Sequence, residues 1–190
     1  MIPSAREIQS ALYGAWLLFK LDPRGLEFFE DSIPAFWRSF FAAVIVLPGF
    51  AALQLVDLAE TEVSAGPLAT LVVELIAYVV IWAGFPLALH HLCQGIGRET
   101  RFVRTMIALN WSVVIQIALT LPVHLIAASG ILGPGLSTLA IVAVILVTLF
   151  YEGFVARTAL EVSPPVAALV VAIDVAISLA VQALVTGMLA

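Results

Sequence analysis

Residues 104–128 read RTMIALNWSVVIQIALTLPVHLIAA, and residues 166–189 read VAALVVAIDVAISLAVQALVTGML. A helix needs about 20 mostly apolar residues to cross a hydrocarbon layer of roughly 30 Å, and both stretches exceed that length. Neither has a solvent face, because polar residues enter only one at a time. Three further windows of the same kind, 35–56, 67–92 and 131–151, bring the number of predicted spans to five. The rest of the composition agrees. Of the 190 residues 63% are hydrophobic and 11% charged, with a mean hydropathy of +1.14, whereas a soluble domain has about 45–50% apolar and about 25% charged residues. A core of this size cannot bury so much apolar side chain, so the excess is expected to face lipid. The predicted class is an all-α integral membrane protein of two parts. Residues 1–34 form a cytoplasmic segment, and residues 35–190 form a five-helix transmembrane domain.

The connections carry turn and cap chemistry. Residues 57–66 are acidic and end in Gly66-Pro67, and residues 94–104 are basic. Residues 129–135 hold Gly130, Gly133, Pro134 and Gly135, which suit a tight turn between antiparallel helices. Residues 152–165 carry Glu152, Arg157 and Glu161, then Ser163 as a cap ahead of Pro164 and Pro165. All 8 basic residues fall on one side of this layout: Arg6, Lys20, Arg24 and Arg38 before the first span, Arg98, Arg101 and Arg104 between the second and third, Arg157 between the fourth and fifth. Asp57, Glu60 and Glu62 mark the other side. The excess of basic residues in cytoplasmic loops then sets the N-terminus inside and Ala190 outside. Aromatic rings (Phe36, Trp37, Phe40, Phe102, Phe150, Tyr151) gather at the same face, where interfacial rings anchor helices. Seven arginines to one lysine suit a GC-rich bacterial genome, and hence a bacterial inner membrane.

The first 34 residues lack the apolar stretch of a signal peptide and carry five acids. Ser4 and Glu7 are spaced as a capping box. Ile8, Ala11, Leu12, Ala15, Trp16 and Phe19 then share one helix face, opposite Arg6, Gln9, Ser10 and Tyr13. An amphipathic helix of this kind lies in the membrane interface or packs on the inner ends of its own bundle. Asp22-Pro23 ends it.

Polar residues within the spans carry most of the functional information. Ser112, Gln116, Thr120 and His124 recur at every fourth residue of the third span, with Asn110 just before them. Asp174, Ser178, Gln182 and Thr186 do so in the fifth. Counted at 1.5 Å per residue, Ser112 and Asp174 both sit about 12 Å from the inner edge, and the later members match in height. This predicts that spans three and five face each other, with Ser112 or Asn110 bonded to Asp174. Glu74 in the second span is the other acid at depth. An ionised carboxylate in hydrocarbon is costly, so Glu74 and Asp174 are either protonated or reached by water. They form a proton or cation relay with His124, or a neutral polar knot holding three helices together. His90, His91, Cys93 and Glu99 lack the four-ligand pattern of a metal site. No catalytic triad, phosphate loop or zinc motif is recognisable. Neither an enzyme nor a cofactor is expected, and the net charge of −5 offers no basic face to nucleic acid.

Pro34-Ala35-Phe36-Trp37-Arg38 at the first span and Arg101-Phe102-Val103-Arg104-Thr105 at the third, with Ser163-Pro164-Pro165 at the fifth, resemble bacterial proteins of the Yip1-like group. The Asp-Leu-Tyr-Gly-Pro signature of the eukaryotic branch is missing, and Leu12-Tyr13-Gly14 lies in a different element. The resemblance implies a non-enzymatic scaffold or accessory subunit that binds other membrane-protein subunits, or copies of itself, in the lipid bilayer. The alternative is a small proton, cation or solute transporter or channel using the intramembrane acids.

The orientation has a direct check. Single cysteines introduced at Glu60 and Arg98 should differ in labelling by a membrane-impermeant thiol reagent on intact cells, the Glu60 site reacting and the Arg98 site not. Labelling at Arg98 would reverse the topology.

Overall fold

The computed structural model describes residues 2–60 and 65–189, so Glu62 and the terminal Ala190 lie outside the described residues. Seven α-helices follow in order: α1 (Ala5–Phe19), α2 (Ile33–Ser39), α3 (Phe41–Glu60), α4 (Pro67–Gly95), α5 (Phe102–Ala128), α6 (Gly133–Leu160) and α7 (Pro164–Leu189). Short 3-10 turns at Pro23–Phe28 and Glu99–Arg101 complete the chain, and no strand occurs among the described residues. Five helical stretches are long and apolar enough to cross a membrane; the first runs through α2 and α3 over Ile33–Val56.

Two boundaries depart from the sequence reading. The first apolar stretch is broken at Phe40, where α2 gives way to α3. The fourth does not stop at residue 151: α6 continues through Glu152 to Leu160, and Glu161 ends it in a left-handed conformation (φ 55°). The reason is visible in the spacing. Glu152, Val155, Ala156 and Ala159 lie at helical offsets on one face, and all four are buried. The residues between Glu152 and Leu160 therefore form a packed helix end rather than a loop.

The helices pack in the order α3–α5–α6–α7–α4, an arc whose two ends are α3 and α4. Although consecutive in sequence, α3 and α4 meet mainly through side chains: the Tyr78 hydroxyl donates to the Ala43 carbonyl at 2.6 Å, and the Phe50 and Tyr78 rings lie 4.8 Å apart. At the end carrying the basic residues, α1 and α2 cover α5. The core is concentrated there, around Leu18, Leu89, Met106, Tyr151, Val155 and Leu160. A smaller cluster, Ala77, Val181, Val185 and Leu189, joins α4 to α7 at the other end.

The first 40 residues are tied down by specific contacts. Ser4 accepts from the Glu7 N–H at 3.2 Å, which is half of a capping box. The Glu7 carboxylate does not return to the cap. It takes the Arg38 guanidinium at 2.5 Å, while Glu30 holds the other arm of Arg38 at 3.0 Å. Ala11, Ala15 and Leu18 of α1 are buried, and the Tyr151 hydroxyl donates to the Ala15 carbonyl at 2.8 Å. Asp22 caps the following turn and pairs with Arg24, whose hydrogen bonds hold its exposed carboxyl below the usual range. Gly14 and Gly25 bring the two backbones together: a Cβ on Gly14 would lie 2.7 Å from the Gly25 carbonyl oxygen.

Gly25→Leu should therefore detach α1 from the turn that follows it, at a cost of about 1–3 kcal/mol by overpacking. Tyr151→Phe, which loses one hydrogen bond, should cost about 1 kcal/mol. Limited proteolysis within residues 20–32, read beside thermal unfolding in detergent, separates the two. Cleavage should accelerate strongly in Gly25→Leu and only slightly in Tyr151→Phe.

Candidate functional site

The arc of helices borders a half-open chamber of about 340 Å³ reached by all five long apolar stretches. Its polar wall comes from α5, α6 and α7: Asn110, Ser112 and Gln116, then Glu152, then Asp174, Ser178 and Gln182. Its aromatic wall comes from Phe50 on α3 and Tyr78, Trp82 and Phe85 on α4. Pro86 also lines it, and a proline there removes the N–H that would otherwise bond the Trp82 carbonyl one turn earlier.

The polar groups fall into two kinds. Some have hydrogen-bond partners within the protein. Asn110, 3% exposed, donates from Nδ2 to the Ser39 hydroxyl at 2.8 Å, and Ser39 donates to the Phe36 carbonyl. Ser112 donates to the Leu109 carbonyl of its own helix. Such back-bonding is how short polar side chains are accommodated in an apolar surrounding. The acids are different. Glu152 is 6% exposed, and its Oε1 has no hydrogen-bond partner. Asp174 lines the same chamber. No ion pair among the described residues reaches either acid. Two carboxyls that face one chamber without a cationic partner repel each other when both are ionised.

The two polar stripes of the sequence are only partly brought together. Gln116 and Gln182 face one chamber, but α5 and α7 are not a closely packed pair, so the expected direct contact of the stripes is replaced by a shared cavity. The expected bond from Asp174 to Ser112 or Asn110 is likewise not formed: Ser112 turns to the Leu109 carbonyl of its own helix and Asn110 to Ser39. A step of four residues drifts by about 40° around a helix, so the later members turn away from the chamber. Thr120 donates to the Gln116 carbonyl, and His124 Nδ1 lies 2.9 Å from the Thr120 carbonyl oxygen. Thr186 is exposed and bonds to the Gln182 carbonyl. Glu74 is elsewhere: its carboxylate accepts from Gln54 Nε2 at 2.6 Å, in a groove between α3 and α4. The acid that joins Asp174 is thus Glu152, rather than Glu74 or His124. At the basic end, His90 packs edge-on against Phe102, with centroids 5.0 Å apart.

The fold and site define a helical bundle of five long apolar stretches around an acid-bearing chamber. Comparison with protein-family models, with curated proteins and with solved structures gives no match to this chain.

Asn110 and Ser39 should behave as one structural unit. Asn110→Leu should lower stability by about 1 kcal/mol, and adding Ser39→Ala should lower it little further, because the pair shares one bond. Thermal unfolding of the two single variants and the double variant in detergent measures this.

Proposed function

We propose that the chain is an integral membrane protein that binds a small cation in its chamber and exchanges it for protons, acting as a carrier. The single observation that supports this reading most is the Glu152–Asp174 pair: two acids on neighbouring helices, facing one cavity, with an unpartnered buried carboxyl oxygen and no cationic side chain. A polar knot, by contrast, would use its donors and acceptors on itself, as Asn110 and Ser39 do. The aromatic wall favours an organic cation, because the faces of Trp, Tyr and Phe attract ammonium groups. A chamber of about 340 Å³ is at the small end of ligand pockets, which fits a compact quaternary ammonium head.

The one-sided basic residues support an N-terminus in the cytoplasm and a C-terminus outside, in a bacterial inner membrane. In that orientation α1 docks on the inner ends of α5 and α6. It also leaves Tyr13, Trp16 and, from α2, Trp37 exposed at interfacial depth, so it meets both protein and lipid. A scaffold or accessory role in a Yip1-like protein is the second reading. The ordered cap of α1 and α2, pinned by Arg38, supports it as a fixed cytoplasmic platform for other subunits.

Tetramethylammonium tests the carrier reading, since it is permanently charged and does not cross lipid by itself. Proteoliposomes with an imposed pH gradient should accumulate it. Asp174→Asn and Glu152→Gln keep size and hydrogen-bonding capacity but cannot exchange protons. Each should cut uptake at least about tenfold with folding yield held. No uptake by the native protein, or unchanged uptake in both variants, would leave the scaffold reading in its place.

A further inference from the structure

The chamber is not the only cavity of the bundle. A second, of about 610 Å³, lies between α3 and α4 and is walled by Leu47, Ala51, Leu55, Leu71 and Leu75. It occurs at the gap in the arc, where α3 and α4 do not pack closely. Leu55, Leu71 and Leu75 are exposed by more than half, so the groove opens sideways, onto the surface that faces lipid if the bundle spans a membrane. Its walls are mostly apolar; Thr70 and Tyr78 spend their hydroxyl donors on backbone carbonyls, and the one acid is Glu74, with Gln54 bonded to its carboxylate. Phe50 and Tyr78 line both cavities, so this ring pair stands between groove and chamber. Tyr78 is held by its hydroxyl bond to Ala43, whereas Phe50 has no such tether and can rotate about its χ angles.

We propose that the α3–α4 groove is a lateral entrance, and that the ligand is a single-chain amphiphile with a cationic head, its head in the acid chamber and its tail in the groove. This rests on the chamber being a cation site. The charge pattern selects the class. Acids mark both the path and its end, Glu74 in the groove and Glu152 with Asp174 in the chamber, and no basic residue lines either cavity. An anionic amphiphile would meet like charge at each step, and a neutral one would gain nothing from the acids. A tail-less cation also fits the chamber, but it would leave the adjoining apolar groove to lipid. Glu74 then meets the cationic head first, and the Phe50 ring swings aside to pass it to the chamber.

The test uses dodecyltrimethylammonium carrying a photoreactive diazirine in mid-chain, at submicellar concentration, with the full-length protein in lipid nanodiscs. Labelled peptides should map to the groove walls around Ala51, Leu55, Leu71 and Leu75. Excess tetramethylammonium should suppress that labelling by displacing the head. Ala51→Phe fills the groove at an exposed position and should reduce groove labelling about tenfold. Leu75→Trp, on the opposite wall, provides a second block should Ala51→Phe fold poorly. Label spread over outward-facing residues of α6 such as Leu139, Leu146 and Phe150, or groove labelling indifferent to both tetramethylammonium and the blocking variants, would overturn the entrance while tetramethylammonium uptake keeps the chamber reading intact. Loss of both uptake and competition in the native protein would overturn the two together.

Discussion

Between Thr105 and Ser112, α5 is buried on every side: eight consecutive residues, more than two turns, with no face left over. An apolar helix can meet that condition only if neighbours surround it. Here α1 and α2 cover it toward the chain start, with α3 on one flank and α6 on the other. The constraint propagates outward. Each polar group in that stretch has to be satisfied locally or by a neighbour, since unpaired groups in such surroundings cost several kcal/mol each. Thr105 bonds back to the Arg101 carbonyl, Ser112 to that of Leu109, and Asn110 reaches across to Ser39. The last of these ties α5 to the end of α2, one residue before the break at Phe40. The cap of α1 is then set by Arg38, one residue earlier, which collects Glu7 and Glu30.

The same constraint explains what the sequence made legible. Five apolar stretches could be read directly, because length and hydropathy are all that a lipid-facing helix requires. Turn chemistry at Ser4 and Asp22 was also legible, since each acts over two or three residues. Depth along a helix could be counted: Gln116 and Gln182 do reach one chamber. Azimuth could not. Whether two stripes touch or face a cavity depends on what separates the helices, and that is set by the α6 side chains between them. Glu74 illustrates the same limit. Its height was read, but its direction is fixed by Gln54, a residue whose amide is indistinguishable in sequence from any other near a helix end.

Glu152 is the instructive miss. Hydropathy windows end at a charged residue, so the fourth stretch read that way closes at Tyr151 and puts Glu152 in the connection that follows. The periodicity beyond it told otherwise: Val155, Ala156, Ala159 and Leu160 continue the buried face. Gly14 is a second case. In sequence it is one glycine within a helical pattern, where it costs about 1 kcal/mol relative to alanine. In three dimensions it is the point of closest approach between α1 and the turn at Gly25. Neither partner announces the other, because the contact spans two elements joined through a left-handed residue, Leu21.

The cavities follow from how the arc is closed. Helices with bulky side chains on facing surfaces stand apart, and those with small residues come together. Gly49 lets α3 approach α5 so closely that a Cβ there would lie 2.5 Å from the Ile117 methyl. Drawn toward α5 at this level, α3 is not free to close against α4, which packs instead on α7 through Ala77, Val181 and Val185. The gap that remains is bridged by aromatic rings rather than by backbone approach, with Phe40 on Trp82 and Phe50 on Tyr78. Rings can rotate without disturbing a helix, whereas a glycine seam cannot open without separating two backbones. The weakest seam of the bundle therefore lies beside its acid pair, and the tightest seams lie around α5, where the chain's own polar groups are already satisfied.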